Sequence, residues 1–210
     1  MHKGLKPSAV STVTVTSSKW WRVHFSKHGP LVFNATNLGN SRFSPITDSG
    51  GSIIPTLYCG SSIKVALMES VLHDVPIPSD RFIYFSPAPV DEERNLVGIT
   101  NVAPLVLADF STVGLRRLGL TRSKVVDSEK SEYPATRLLA QWLYQNRPDI
   151  QGIQWTSRQY DLGQTIVLFE SRLESNCLSV HVPSESIAND LCQDKILALI
   201  TALGGGLKQG

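Results

Sequence analysis

Residues 58–74 constrain the fold more than any other stretch of the chain. They read as a strand ending at Tyr58-Cys59, a tight turn at Gly60-Ser61-Ser62, and a helix from Ile63 to about Leu72. Gly60 is expected to supply an unusual backbone angle at the turn. Ser61 or Ser62 is placed to cap the helix by accepting bonds from its first free amides. Positions 63, 66, 67, 70 and 71 share one helical face and are mostly apolar. Pro76 and Pro78 terminate the helix. Glu69 is the anomaly. Its neighbours three and four residues away are Val65, Ala66, Leu72 and His73, so an ionisable carboxylate sits in a largely apolar setting. Such a group is costly to ionise unless something partners it. Taken alone, the ordinary reading is a glutamate at the helix rim, reaching water or paired with His73.

The remaining elements are short and irregularly mixed. Residues 20–25, Trp-Trp-Arg-Val-His-Phe, make a first core strand, and residues 26–52 are rich in Gly, Asn, Ser and Pro and read as loop. Further β-rich runs lie at 81–85, 95–99, 105–107, 153–156 and 164–170. Residues 112–118 read as a short helix ending at Gly119. Pro134 opens a helix to about Gln145, with Leu138, Leu139, Trp142 and Leu143 as its apolar stripe. Residues 121–132 are charged and expected to be exposed, and 174–186 read as polar linker. A terminal helix over 187–203 turns Ile196, Leu199, Ile200 and Leu203 to one side. There is no internal repeat. The pattern is that of an α+β (mixed α/β) domain, not of a regular doubly wound sheet.

With 210 residues, 41% of them hydrophobic and 18% charged, the chain can close one ordinary core. A formal charge of +2 is too small to argue for a nucleic-acid or anionic-membrane partner. Three scattered cysteines, Cys59, Cys177 and Cys192, form neither a disulfide framework nor a zinc pattern. A cytoplasmic location is expected, and no run of residues has the length of a membrane span. A glycine-rich phosphate loop, a Gly-x-Ser-x-Gly elbow and a helical His-x-x-x-His are all missing, and no metal site is expected.

The candidates that remain are Arg42 in the long loop, Tyr58 at a strand end, Glu69 on the next helix, and Ser157 after a short strand. Each has a plain alternative: a solvated loop charge, a tyrosine at the core rim, a helix-rim carboxylate, a turn serine. In order and spacing, however, they resemble a known family. Ser41-Arg42-Phe43, Leu57-Tyr58-Cys59-Gly60-Ser61-Ser62, Ala66-Leu67-Met68-Glu69 and Gly152-Ile153-Gln154-Trp155-Thr156-Ser157-Arg158 resemble the RES domain, named for its Arg, Glu and Ser. Residues 107–110, 118–120 and Tyr133-Pro134-Ala135-Thr136 fit as well. The resemblance runs from Trp21-Arg22-Val23 to Glu170. It implies a domain over 19–174; residues 1–18 read as a loose leader in which the Ser/Thr-rich run with Val10, Val13 and Val15 can make an edge strand, and 175–210 as a linker and helix.

That resemblance implies short strands in ADP-ribosyltransferase-like sheets flanked by helices. It implies an NAD-consuming toxin that breaks the nicotinamide–ribose bond with water or phosphate as acceptor, needing no cofactor beyond NAD as substrate. It also implies an antitoxin partner bearing an Xre-like helix-turn-helix, and no direct contact with nucleic acid or membrane. Glu69, Arg42 and Tyr58 would be catalytic. Arg22, Arg42, Tyr58 and Ser157 would hold the substrate, with Ser157 bonding either a phosphate or the carboxylate. The alternatives are an enzyme that transfers ADP-ribose to a macromolecule and a non-catalytic binding module.

Overall fold

Alternating burial along the strands generates a single curled sheet with a core on each face. A computed structural model describes residues 4–74, 84–85 and 93–207. In chain order the elements are β1 (Thr12–Val15), β2 (Lys19–Phe25), β3 (Thr56–Gly60), α1 (Ile63–Met68), β4 (Tyr84–Phe85), β5 (Arg94–Asn101) and β6 (Leu105–Asp109). They continue with α2 (Thr112–Arg117), α3 (Arg122–Val125), α4 (Tyr133–Asn146), β7 (Gly152–Thr156), β8 (Gln164–Phe169), β9 (Leu178–Ser186), α5 (Asp190–Ala202) and β10 (Gly206–Leu207). Eight strands form one sheet in the order β1-β6-β7-β8-β3-β2-β5-β9, antiparallel throughout except for the parallel pair β6–β7. The fold is thus mixed α and β, with this eight-stranded sheet and a second, two-stranded one. β4 and β10 pair in parallel. Of the β-rich run at 81–85 only 84–85 are described; Pro76, Pro78 and 81–83 lie outside the described residues.

The period-two rule of strands decides which side chain meets which core. On β8, Val167 and Phe169 face one core while Ile166 and Leu168 face the other. The first core is closed by α2, α3 and α4 through Leu115, Val125, Leu139, Ala140 and Leu143, and by Phe43 from the long loop. Phe43 is fully buried, edge-on to Phe110 at 5.6 Å and to Trp155 at 4.9 Å, favoured geometries for aromatic pairs. A third cluster joins α1 to α5 through Leu67, Met68, Ile196 and Leu199. No described helix is long and apolar enough to cross a membrane.

Several expectations are corrected. Residues 12–15 form the edge strand that the sequence allowed, and are bound into the sheet, not loose: β1 pairs with β6 along its whole length and buries Val15. Residues 178–186 are not linker but β9, whose half-exposed, alternating pattern suits an edge strand with one wet face. On α4 the buried face is Tyr133, Thr136, Leu139, Ala140 and Leu143, while Leu138 is 54% exposed. Helix α1 stops at Met68, shorter than the periodicity predicts, with Glu69 as its C-cap. Its buried positions are consecutive, Val65 to Met68, because sheet and α5 cover it from two sides. Gly60 has no left-handed angle. It is small because a Cβ there would stand 2.7 Å from Val65 Cγ1 and 2.8 Å from the Ala66 nitrogen. Ser62 is the cap, accepting from Val65 N at 3.2 Å.

The sheet has one thin joint. β2 runs beside β5 for its full length, but β2 and β3 share a single registered pair, Trp21 opposite Gly60. A cavity opens at that joint.

Candidate active site

The cavity has a volume of about 320 Å³, within the range of small-molecule sites. Trp21 and Arg22 of β2, Tyr58 and Cys59 of β3, Arg42 of the long loop and Glu69 at the end of α1 all line it. Four of the five residues expected from sequence, Arg22, Arg42, Tyr58 and Glu69, therefore line the same cavity. Ser157 is absent from the lining because it is fully buried behind Glu69.

Glu69 is held by the turn that follows β7. Its Oε1 accepts from Ser157 Oγ at 2.6 Å, from Arg158 N at 2.9 Å and, more weakly, from Gln159 N at 3.5 Å. Ser157 Oγ is fixed in turn by accepting from Tyr160 N at 2.9 Å and Gln159 N at 3.2 Å. Of the two ligands considered for Ser157, the carboxylate is the one it holds. Oε2 receives no hydrogen bond from the described residues, which leaves one carboxylate oxygen for a ligand. Glu69 does not pair with His73, whose Nδ1 lies 2.7 Å from Asp74 Oδ1.

Arg42 reaches the cavity from a backbone clamped on three sides. Phe43 anchors the loop, the Thr136 hydroxyl donates to the Arg42 carbonyl, and Phe43 N donates to the Tyr58 hydroxyl at 3.1 Å. Arg42 as a whole is 7% exposed. Nη1 donates to Val125 O at 3.1 Å, to Ser128 O at 3.1 Å and to Ser128 Oγ at 2.6 Å, and Nη2 donates to Tyr133 Oη at 3.3 Å. The group also lies over the Tyr133 ring, 4.7 Å from its centroid, a favourable cation–π contact. All these partners are neutral, and no described carboxylate lies within ion-pair distance. Burial pulls the Arg42 guanidinium below its ordinary value, against the pull of the Tyr133 oxygen. A buried cation without a counter-ion is costly, and an anionic ligand in the cavity would offset that cost.

Arg22 is half-buried and leans on the long loop, donating from Nη1 to Pro30 O at 2.6 Å and from Nη2 to Val32 O at 2.9 Å. Burial lowers its value too. Tyr58 has its hydroxyl committed to Phe43 N and Ser44, and burial pushes it up to about 12, so it stays neutral and offers the cavity its ring. That ring stands edge-on to Trp155 at 6.2 Å.

Residues 121–132, expected to be solvent-exposed charge, instead build the site. Val125 and Ser128 carry the acceptors for Arg42. Arg122 donates to Thr156 O and Ser157 O, both at 3.3 Å. Arg158 Nη1 donates to Ser128 O at 2.8 Å and its Nη2 meets Glu129 Oε1 at 2.5 Å. One carbonyl, that of Ser128, thus serves both the arginine in the cavity and the arginine whose amide holds Glu69. Lys130, Tyr133, His73 and Asp74 also line the cavity. His73 was read from sequence only as a candidate partner of Glu69, and Tyr133 only within the Tyr-Pro-Ala-Thr motif; Lys130 gave no signal, because a single charge in a polar run has no periodicity.

Among curated proteins, none matches the chain in sequence. Among solved structures, a chain of the M. tuberculosis MbcT-MbcA toxin-antitoxin complex superposes with a TM-score of 0.62, covering 90% of this chain and 93% of that one at 16% sequence identity. That is a likeness of fold. The family model described as the RES domain matches residues 19–189. The matched span contains every element that lines the cavity and every residue that clamps Glu69 and Arg42, and the chain belongs to the RES domain family.

Proposed function

We propose that the protein is an NAD-consuming enzyme that breaks the bond between nicotinamide and ribose, and that it acts as the toxin of a toxin–antitoxin pair. One observation carries the chemistry: Glu69 is immobilised through one oxygen with the other free, in the same cavity as a buried arginine that has only neutral partners. Membership of the RES family and the fold shared with a chain of a toxin-antitoxin complex support the biological role. The expected partner is an antitoxin of the Xre-like helix-turn-helix kind.

The chemistry asks little of proton transfer at the leaving group. The nicotinamide nitrogen of NAD carries a positive charge, and when the C1″–N bond breaks it takes the electron pair and leaves neutral. Positive charge then moves onto the ribose ring in an oxocarbenium-like state. Glu69, fixed by Ser157 Oγ and Arg158 N, stabilises that charge through its free oxygen without reorganising. Arg42 and Arg22 bind the pyrophosphate, and Arg42 in its buried cradle gains a counter-ion on binding. The Tyr58 ring supplies a flat apolar wall for the nicotinamide or ribose. Water or phosphate then forms the new C1″–O bond, giving ADP-ribose or its 1-phosphate.

Purified protein is expected to release nicotinamide from NAD, and Glu69→Gln to cut the rate on the order of 10²–10³-fold while keeping the native melting profile. NAD left intact in both phosphate-free and phosphate buffers would sink the proposal. Label from NAD appearing on a protein or nucleic acid, in place of free ADP-ribose, would move the reading to macromolecular transfer. Induction of soluble wild-type protein alone is expected to arrest growth as NAD falls; unimpeded growth removes the toxin assignment.

A further inference from the structure

We propose that His73, oriented by Asp74, is the base that accepts the proton of an O–H nucleophile in this cavity, so that water or another neutral hydroxyl is the acceptor for which the site is built. The proposal rests on the NAD-cleaving reading above and names the acceptor class that reading leaves open.

The observations concern a chain of groups along the cavity wall that the binding of pyrophosphate and ribose does not use. His73 Nδ1 lies 2.7 Å from Asp74 Oδ1. Lys130 Nζ meets the other oxygen, Asp74 Oδ2, at 2.6 Å. The hydrogen bond from Lys130, then that from His73, holds the Asp74 carboxyl below its ordinary range. Asp74 is therefore an anion that only accepts, and the proton of a neutral His73 resides on Nδ1. The Nε2 lone pair is left as the basic site. Its one described contact is the Tyr133 hydroxyl at 3.5 Å, the outer limit of a hydrogen bond, and that oxygen already receives Arg42 Nη2. His73 lines the cavity with 21% of its side chain exposed, so Nε2 can take a proton from a hydroxyl bound there.

His73 and Glu69 are also fixed relative to one another. The turn that holds Glu69 through Ser157 Oγ and Arg158 N holds the His73 carbonyl through Gln159 Nε2 at 3.1 Å. One turn therefore sets the carboxylate that stabilises the ribosyl cation and the imidazole that receives the acceptor's proton. The arrangement is that of an oriented base, with a carboxylate fixing the tautomer and stabilising the imidazolium that forms.

The step balances as follows. The C1″–N bond breaks and its electron pair goes to nicotinamide. The acceptor oxygen forms the C1″–O bond, its O–H bond breaks, and the proton passes to His73 Nε2. The imidazolium, facing Asp74, then returns that proton to solvent. A phosphate dianion has no proton that must be removed, and Asp74 and Glu69 repel it. The charged and titratable groups facing His73 are Asp74, Lys130, Tyr133 and, through Tyr133, Arg42; Lys130 is spent on Asp74, so the rim presents little net positive charge to an anion.

The test compares products. Wild type, His73→Gln and Asp74→Asn are assayed with NAD in phosphate-free buffer and with added inorganic phosphate, and ADP-ribose is separated from its 1-phosphate. For His73→Gln, release of ADP-ribose is expected to fall on the order of 100-fold, with a smaller fall in any 1-phosphate, so the product ratio shifts toward phosphorolysis. Asp74→Asn, a change at a positioning residue, is expected to lower hydrolysis less and to move the His73 proton from Nδ1, read by 15N NMR of the imidazole. Wild type forming only the 1-phosphate, His73→Gln losing both products equally, or His73→Gln keeping full hydrolysis would each overturn the proposal. Nicotinamide release by wild type that persists undiminished in His73→Gln in phosphate-free buffer refutes this inference alone; no release by wild type under either condition refutes the NAD-cleaving reading and this inference with it.

Discussion

At the scale of single residues, Ser157 separates two ways of building the proposed NAD site. Its hydroxyl is buried and donates to Glu69 instead of facing the cavity. A charge-assisted bond of this kind contributes about 1.5–3 kcal/mol. Ser157→Ala is therefore expected to lower kcat by roughly 10- to 100-fold with little change in KM, because the carboxylate loses its aim while the pyrophosphate grip remains. Steady-state kinetics on a variant with a native melt checks this; a rise in KM with kcat unchanged would mean that Ser157 serves binding. The residues of this site were unequally legible in the sequence. Arg42, Tyr58, Glu69 and Ser157 stand in short motifs with fixed order, and three of the four line the cavity. Lys130 and Asp74 are 56 positions apart and meet through the turn before α4. Local spacing cannot encode such a meeting, which depends on how the fold brings the segment after α1 to the one before α4.

At the scale of elements, the β3–turn–α1 unit is set by volume. Gly60 and Gly163 both lie against Val65, where added Cβ atoms would stand 2.7 Å and 2.2 Å from its methyl groups. Gly60→Ala also meets the Ala66 backbone nitrogen, which cannot swing aside as a side chain can. The substitution is expected to cost about 1–3 kcal/mol through overpacking and to lower activity by tilting α1 and the glutamate at its end. Denaturant unfolding of the variant checks the first effect and nicotinamide release the second; unchanged values for both would contradict the packing argument. Element existence was largely readable: the strands near 20–25, 95–99, 153–156 and 164–170, and the helices at 112–118 and from Pro134, fall where pattern and caps put them. Polar β9 was missed because an edge strand with one wet face keeps few apolar residues. Leu138 was misassigned because α4 meets the core along Leu139, Ala140 and Leu143; a run of adjacent apolar residues does not say which of them faces inward.

At the scale of the whole molecule, the sheet reaches from β1 at one edge to β9 at the other, and the first strand is structural. Val10 and Val15 are buried, and β1 covers β6 along its full length. Removing residues 4–16 would uncover a long apolar edge at Leu105 and Leu107. Two buried valines, at roughly 1.5–3 kcal/mol each, are a large part of the stability of an ordinary domain. The truncated chain is expected to melt at least 10 °C lower and to aggregate, measured by calorimetry and by the soluble fraction; an unchanged melting temperature would refute a structural role. The thin joint between β2 and β3 has the opposite character. Side-chain packing, with little help from backbone ladder bonds, holds the two parts of the sheet together there, and the cavity lies across the gap, with Arg22 and Trp21 on one bank and Tyr58 on the other. A molecule gripped from both banks would act as a rivet in the weakest seam, so the proposed substrate would complete the architecture as it binds, and each turnover would unfasten it again.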